Sequence, residues 1–152
     1  GCCSATGIGM DEITRLPSGA VVTPLRRIAN PKGDVYHGLK ASEESFKGFG
    51  EAYFSTVVPG VTKGWKRHSL MTLNLVVPVG TIEFHLRSED GSDFESVRLG
   101  EERYARLTIP PGVWVAFTGI GNSLNLLLNV ASIAHDPEEA VNLPLEHFPL
   151  GL

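Results

Sequence analysis

The sequence predicts an all-β domain closed into a jelly-roll barrel. Short β-type runs follow one another along most of the chain, turn signals separate them, and no long stretch carries helical periodicity. Eight or more strands at this spacing are expected, which fits a jelly roll better than an open sheet.

Pro17, Pro24, Pro31 and Gly33 punctuate a lead that precedes the regular strands. Leu73 to Val79 is apolar at almost every position, as a strand covered on both faces requires, and Pro78 with Gly80 closes it into a turn. Thr81 to Arg87 alternates strictly, placing Ile82, Phe84 and Leu86 on one face and polar side chains on a face expected to be wet. Ala105 to Ile109 alternates again, Val113 to Phe117 is a short apolar and aromatic strand, and Asn125 to Ala131 is a buried run containing Asn125 and Asn129. Turns are expected at Glu89-Asp90-Gly91-Ser92, Pro110-Pro111-Gly112 and Gly119-Ile120-Gly121-Asn122. The one helical turn expected lies near Asp136 to Ala140, with Asp136 as N-cap and Pro137 at the first helical position.

A chain of 152 residues fits one domain, and at this size roughly 68–70% of the unfolded surface is buried, enough for a core without staples. The net charge of −4 comes from interleaved acidic and basic residues, so no basic face points to nucleic acid and no polybasic stretch to a membrane surface. No apolar run is long enough to span a bilayer, and the start lacks the charged and apolar regions of a signal peptide, so a cytoplasmic location is expected. The only cysteines, Cys2 and Cys3, are adjacent and form no framework or zinc spacing. Residues 1–9 are small and patternless and Met10 opens a more ordinary acidic start. Residues 1–9 are therefore expected to be a tag or unstructured start, and residues 10–152 one domain.

The run from Gly60 through His68 to Gly80 resembles the first motif of the cupin barrels, in which a glycine, five residues, His-x-His and a following Glu bring metal ligands to one cavity. Gly60, His68 and Gly80 fall in place, but Lys66 stands at the first histidine and Thr72 or Leu73 at the carboxylate. The second motif reads Pro110-Pro111-Gly112-Val113-Trp114-Val115, with Val115 at its histidine. A divalent ion needs several deprotonated ligands converging on one point, and a lysine ammonium repels it. The resemblance therefore implies a cupin-type double-stranded β-helix without metal, and no cofactor is expected.

Phe46 to Ser55, Pro59-Gly60 through His68, Met71-Thr72-Leu73-Asn74, Pro110 to Trp114 and Asn129 to Pro137 together resemble the dTDP-4-dehydrorhamnose 3,5-epimerase family, and its short branch more closely. The resemblance covers about Val21 to Pro149. It implies a homodimeric jelly roll that binds a nucleotide diphospho-4-keto-6-deoxysugar in the barrel and removes a proton α to the C4 ketone. Such chemistry needs a base, a donor for the enolate and an acid on the opposite face. The family's arginine falls at Lys63, its histidine base at Lys66 and its late-strand tyrosine acid at Leu128, followed by Asn129.

Two bases remain open: Lys66, crowded by Lys63 and Arg67, or His68, preferred, which lies on the same strand face two residues on. The second option resembles sugar-nucleotide 3,4-ketoisomerases, which keep a histidine at the position of His68. Lys63 would meet the diphosphate as a point charge. Glu51 lies one place from the family's carboxylate contact to the nucleotide base, Trp114 offers a stacking face beside the second motif, and Asn74 and Asn129 are amides in apolar strands that need partners. Trp65 and Trp114 are equally explained as core aromatics, and His135-Asp136 as structural. The leading expectation is a nucleotide-sugar isomerase. The alternatives are a non-catalytic sugar-nucleotide-binding barrel, a 3,4-ketoisomerase-like enzyme and a metal-dependent cupin dioxygenase.

Overall fold

The computed structural model describes residues 12–150. The expectations for residues 1–9, for Cys2 and Cys3 and for Met10 lie outside the described residues. The chain runs through β1 (Thr14–Arg15), β2 (Val21–Pro24), β3 (Arg27–Ile28), β4 (Val35–Tyr36), β5 (Glu51–Thr56), β6 (Thr62–His68) and β7 (Leu73–Val79). It continues through β8 (Thr81–Arg87), β9 (Phe94–Gly100), β10 (Ala105–Ile109), β11 (Trp114–Gly119), β12 (Leu126–Ala131) and β13 (Ala140–Asn142). A six-stranded sheet in the order β1-β2-β10-β7-β12-β5 faces a five-stranded sheet in the order β13-β6-β11-β8-β9, while β3 and β4 pair as a separate hairpin. This is the all-β jelly roll of the cupin type that the sequence predicts.

The two sheets share one core. Leu73, Leu75 and Val77 of β7 and Leu107 and Ile109 of β10 meet Ile82, Phe84 and Leu86 of β8 and Val115 of β11. Removing each such large side chain from water contributes about 1.5–3 kcal/mol, which fixes the parity of every strand that bears one.

Strands β7, β8 and β10 coincide with the predicted runs. Strand β11 begins one residue later than expected and extends to Gly119, and β12 starts at Leu126 because Asn125 is a loop staple. The Asn125 side chain accepts from the Thr81 N–H at 3.0 Å and donates to the carbonyls of Gly121 at 3.0 Å and Val57 at 3.2 Å. The helical turn appears as a 3-10 helix over Pro137–Glu139, with the Asp136 carboxylate accepting from the Glu138 N–H at 3.0 Å. The outer face of β8 is drier than alternation implies: His85 is buried, and its Nε2 meets the Thr118 hydroxyl, which in turn meets that of Thr62.

A register shift in β6 matters most for the cavity. Opposite β11, Lys66 pairs with Val115, Lys63 with Phe117 and Gly64 with Ala116, with a bulge between Val115 and Ala116. Trp65 is the extra residue, so Lys63, Lys66 and His68 all face inward, whereas plain alternation would turn Lys63 the other way. Gly64 makes this possible. Its φ is +136°, and a Cβ there would stand 2.6 Å from the Ala116 Cβ.

Beyond β13 the chain crosses the outside of the five-stranded sheet, where Leu143, Leu145, Phe148 and Leu150 pack on Trp65, Trp114 and Ala116. The ring centroids of Phe148 and the two indoles lie 5.5 and 5.7 Å apart, edge to face. Trp114 is thus a packing residue on the outer surface of the sheet. The expectation that it lines the pocket is corrected, because Val115 takes the inward position on β11 and its neighbour must point away.

Candidate active site

A cavity of about 290 Å³ opens between the sheets. Strand β6 supplies Lys63, Lys66 and His68 to it, β5 supplies Tyr53 and Ser55 from the facing sheet, β12 supplies Leu127 and Asn129, and the end of β13 supplies Asn142. Leu73, Leu75, Val115 and Phe117 form its apolar floor and walls. The pairing of Lys66 and His68 on one inward face, expected from strand geometry, is present.

His68 is held by a residue that the sequence did not single out. Its Nδ1 lies 2.7 Å from Oε1 of Glu139, whose side chain is 2% exposed against 12% for the imidazole. The second carboxylate oxygen, Oε2, accepts from the backbone N–H groups of Leu70 and Met71, each at 2.9 Å. Burial opposes ionisation of Glu139, but the His68 ring and the two N–H groups outweigh it and hold the carboxyl below the usual carboxylate range. An ionised carboxylate only accepts, so Nδ1 of His68 donates, and in the neutral ring Nε2 carries the lone pair. Glu139 reaches this place because the 3-10 turn capped by Asp136 delivers the chain into β13, where Ala140 pairs with His68.

Across the cavity, Asn129 and Tyr53 are cross-strand partners, and the Asn129 amide nitrogen donates to the Tyr53 hydroxyl oxygen at 3.0 Å. The phenolic proton is thereby left free to be donated elsewhere. The Asn129 Oδ1 is buried with no partner among the described residues, an open acceptor in the cavity wall. Leu128, at the position where the resemblance places an acid, points to the outer face beside Phe54 and Val76.

The rim and the depth of the cavity differ in charge environment. Lys63 is exposed and donates from Nζ to the Thr56 carbonyl at 2.8 Å, while Lys66 is half-buried. Arg67 faces outward, its guanidinium 5.2 Å from the Trp114 ring centroid.

Two further expectations are corrected. Asn74 lies on the outer face of β7, accepting from the Thr108 hydroxyl at 2.6 Å and donating to the Ser45 carbonyl at 3.1 Å, because Leu73 and Leu75 claim the inward positions. Glu51 shares the strand face of Tyr53 and Ser55 but stands beyond the cavity lining, at the end of β5 opposite Ala131. A broader depression of about 470 Å³ on the outer side of the six-stranded sheet holds none of the expected residues. Its carboxylates are already paired, Glu43 with the buried Arg106 and Glu44 with Arg15.

Among the described residues no group of three or more His, Cys, Asp or Glu side chains converges as a metal site would require. The arrangement is a cupin-type jelly roll whose cavity is equipped for proton transfer: a fixed imidazole on one sheet, a phenol on the facing sheet, and two ammonium groups between rim and floor. No family model matches the sequence. A crystal structure of a dTDP sugar isomerase from Desulfovibrio desulfuricans superposes with a TM-score of 0.78 and 39% sequence identity, covering 83% of this chain and 84% of that one. The chain belongs to the same family, the sugar isomerases related to dTDP-4-dehydrorhamnose 3,5-epimerase.

A probable low-salt glycan biosynthesis epimerase from Haloferax volcanii is 29% identical over 94 residues, which is 58% of this chain and 60% of that protein's length. A variant of the 3,4-ketoisomerase from Thermoanaerobacterium thermosaccharolyticum, crystallised with TDP-4-keto-6-deoxyglucose, shares the fold at a TM-score of 0.70 and 20% identity. That match covers 80% of this chain and 86% of the other.

Proposed function

We propose that this protein isomerises a dTDP-4-keto-6-deoxysugar by removing a proton α to the C4 ketone, as a 3,5-epimerase does, with His68 as the base. The observation that carries the proposal is the His68–Glu139 pair inside the cavity. The buried carboxylate selects the tautomer whose Nε2 can accept a proton, and stabilises the imidazolium that forms. Tyr53, on the facing sheet with its own proton uncommitted, returns a proton from the other side. The C–H bond broken on one face is then replaced by one formed on the other, and the resting state returns when the imidazolium releases its proton to water and the phenolate takes one up from it. Lys63 at the rim meets the diphosphate, and Asn129 offers Oδ1 to a sugar hydroxyl.

The donor set favours metal-free chemistry, since the cavity presents one imidazole beside two cations and the Glu139 oxygens are committed to three donors.

Incubation with dTDP-4-keto-6-deoxyglucose in heavy water, followed by NMR, tests the assignment. Deuterium is expected at C3 or C5 with the ketone still at C4. No incorporation above the enzyme-free control excludes epimerisation of that sugar, and dTDP binding without exchange would mark a binding protein. A base two residues along the strand from the family's position also fits a 3,4-ketoisomerase, and a carbonyl that appears at C3 in the same spectra would assign that reaction instead.

The protein is further proposed to act as a homodimer in the cytoplasm. No helix among the described residues is long and apolar enough to cross a membrane. Strand β5 is a sheet edge whose outward Phe54 is 64% exposed beside Leu128, an apolar border of the kind that a second copy covers. Light scattering on the purified protein should give twice the 16.4 kDa chain mass; a value at the chain mass across micromolar concentrations would refute the dimer.

A further inference from the structure

Strand β6 changes phase at Trp65, and the chain that follows β13 covers the place where it does so. Toward β11, Lys66 stands opposite Val115 and Gly64 opposite Ala116, so Trp65 is the unmatched residue of the bulge. An unmatched residue in a sheet leaves an N–H and a C=O in need of partners. Both are met from the other edge. The Trp65 N–H donates to the Leu143 carbonyl and the Leu143 N–H to the Trp65 carbonyl, each at 3.0 Å. The indole N–H donates in turn to the Leu145 carbonyl at 3.2 Å, and Trp65 is left 1% exposed. A latch farther along keeps these two leucines in place. Phe148 packs edge to face on Trp65 and Trp114, and the Arg87 guanidinium lies 5.0 Å from the Phe148 ring centroid and donates to the Pro149 carbonyl at 2.8 Å. Neither Phe148 nor Arg87 lines the cavity.

The bulge decides which side chains of β6 enter the cavity. Lys63 and His68 are five positions apart and fall on opposite faces of a regular strand, yet both line the cavity because Trp65 is interposed between them. We infer that Trp65 is a positioning residue, locked from outside by the segment Leu143 to Phe148, which turns Lys63 inward to meet the ligand's diphosphate; this rests on the diphosphate contact proposed above for Lys63. His68 needs no such lock. Glu139 and the pairing with Ala140 hold it directly. The binding cation and the base therefore depend on different parts of one segment, and loosening the lock weakens binding while sparing the proton transfer.

Calorimetric titration with dTDP on wild type, Lys63→Met, Trp65→Leu and the double variant separates a lock that acts through Lys63 from a residue that merely supports the fold. Lys63→Met is expected to bind dTDP about tenfold more weakly, as for loss of a hydrogen bond to a charged group, and Trp65→Leu to approach the same loss. The double variant should bind no more weakly than Lys63→Met to within about twofold, since residues that act through one contact do not add. Phe148→Ala should weaken binding in the same direction from outside the cavity. With dTDP-4-keto-6-deoxyglucose in heavy water, the KM of Trp65→Leu should rise with its dTDP dissociation constant, while the exchange rate at saturation stays within about threefold of wild type, as when only uniform binding is lost.

Equal weakening by Trp65→Leu with and without Lys63 would show that Trp65 acts on the fold at large and would overturn the inference. Wild-type dTDP affinity in folded Trp65→Leu and Phe148→Ala would overturn it as well. If Trp65→Leu does not fold, Phe148→Ala, which removes a half-buried ring on the outer face, makes the same comparison with and without Lys63→Met. A Lys63→Met protein that binds dTDP as wild type does fails at the earlier step: it takes the diphosphate away from Lys63, and the role of the lock goes with it.

Discussion

His68→Asn should lower turnover by about 10²–10⁴-fold, the usual cost of removing a general base, while leaving dTDP binding and thermal stability close to wild type. The size of the effect follows from the cavity lining: His68 is the one imidazole in it, and its Nε2 is the nitrogen left unoccupied once Nδ1 is bound to Glu139. Asparagine is the informative replacement because its amide can still donate to Glu139 Oε1, so the buried carboxylate keeps a partner. Deuterium wash-in rates report the chemical step, and calorimetry with dTDP reports whether the cavity still assembles. Retention of more than a tenth of the wild-type exchange rate would remove His68 from the role of base.

Glu139→Gln is expected to be nearly as damaging to turnover although no atom of Glu139 need touch the substrate. Oε2 accepts from the Leu70 and Met71 N–H groups, so a glutamine keeps its oxygen there and turns its NH₂ toward His68. The ring must then accept at Nδ1 and carry its proton on Nε2, which is the wrong tautomer for a base. A loss of about 10²–10⁴-fold is expected, with dTDP affinity retained, as for an orienting carboxylate exchanged for its amide.

Glu139→Ala adds a folding penalty, since the Met71 N–H is buried and the Leu70 N–H partly so, and each donor left unsatisfied costs about 1–3 kcal/mol. The same residue sets part of the acid response. Its folded-state carboxyl lies below the ordinary 4.5, so its contribution to stability is complete above about that pH and is lost as pH falls through the folded value. Denaturant titrations between neutral pH and pH 3 should therefore show wild type losing stability below about pH 4.5 and Glu139→Gln losing less. Equal acid sensitivity in the two proteins would show that Glu139 is not ionised in the fold.

Much of this arrangement can be read from the residues in order, because β structure writes itself locally. Ile82, Phe84 and Leu86 alternate, and Pro78 with Gly80 ends the preceding strand, so β7 and β8 are legible from side-chain period and turn chemistry alone. The place of His68 follows from motif spacing, since the cavity side of β6 is fixed by the glycines that bracket it.

What could not be read depends on contacts between distant segments. Glu139 is 71 residues from His68 and sits in a turn whose acidic residues read as ordinary capping. Tyr53 lies on an edge strand that has little burial alternation to mark an inner face. The inward turn of Lys63 depends on a bulge opposite Ala116, which a simple period of two does not reveal. Trp114, a candidate because it stands beside the second motif, and Asn74, an amide in an apolar strand, fall outside the cavity for the converse reason: strand parity gives the inward positions to Val115, Leu73 and Leu75.

The most direct measurement is a crystal structure of the protein with an unreactive dTDP-hexose. The sugar should lie between β6 and β5, with C3 or C5 about 3–3.5 Å from Nε2 of His68 and the diphosphate at Lys63. A sugar bound outside the cavity, or one inside it with His68 turned away from both carbons, would contradict the assignment of His68 as the base.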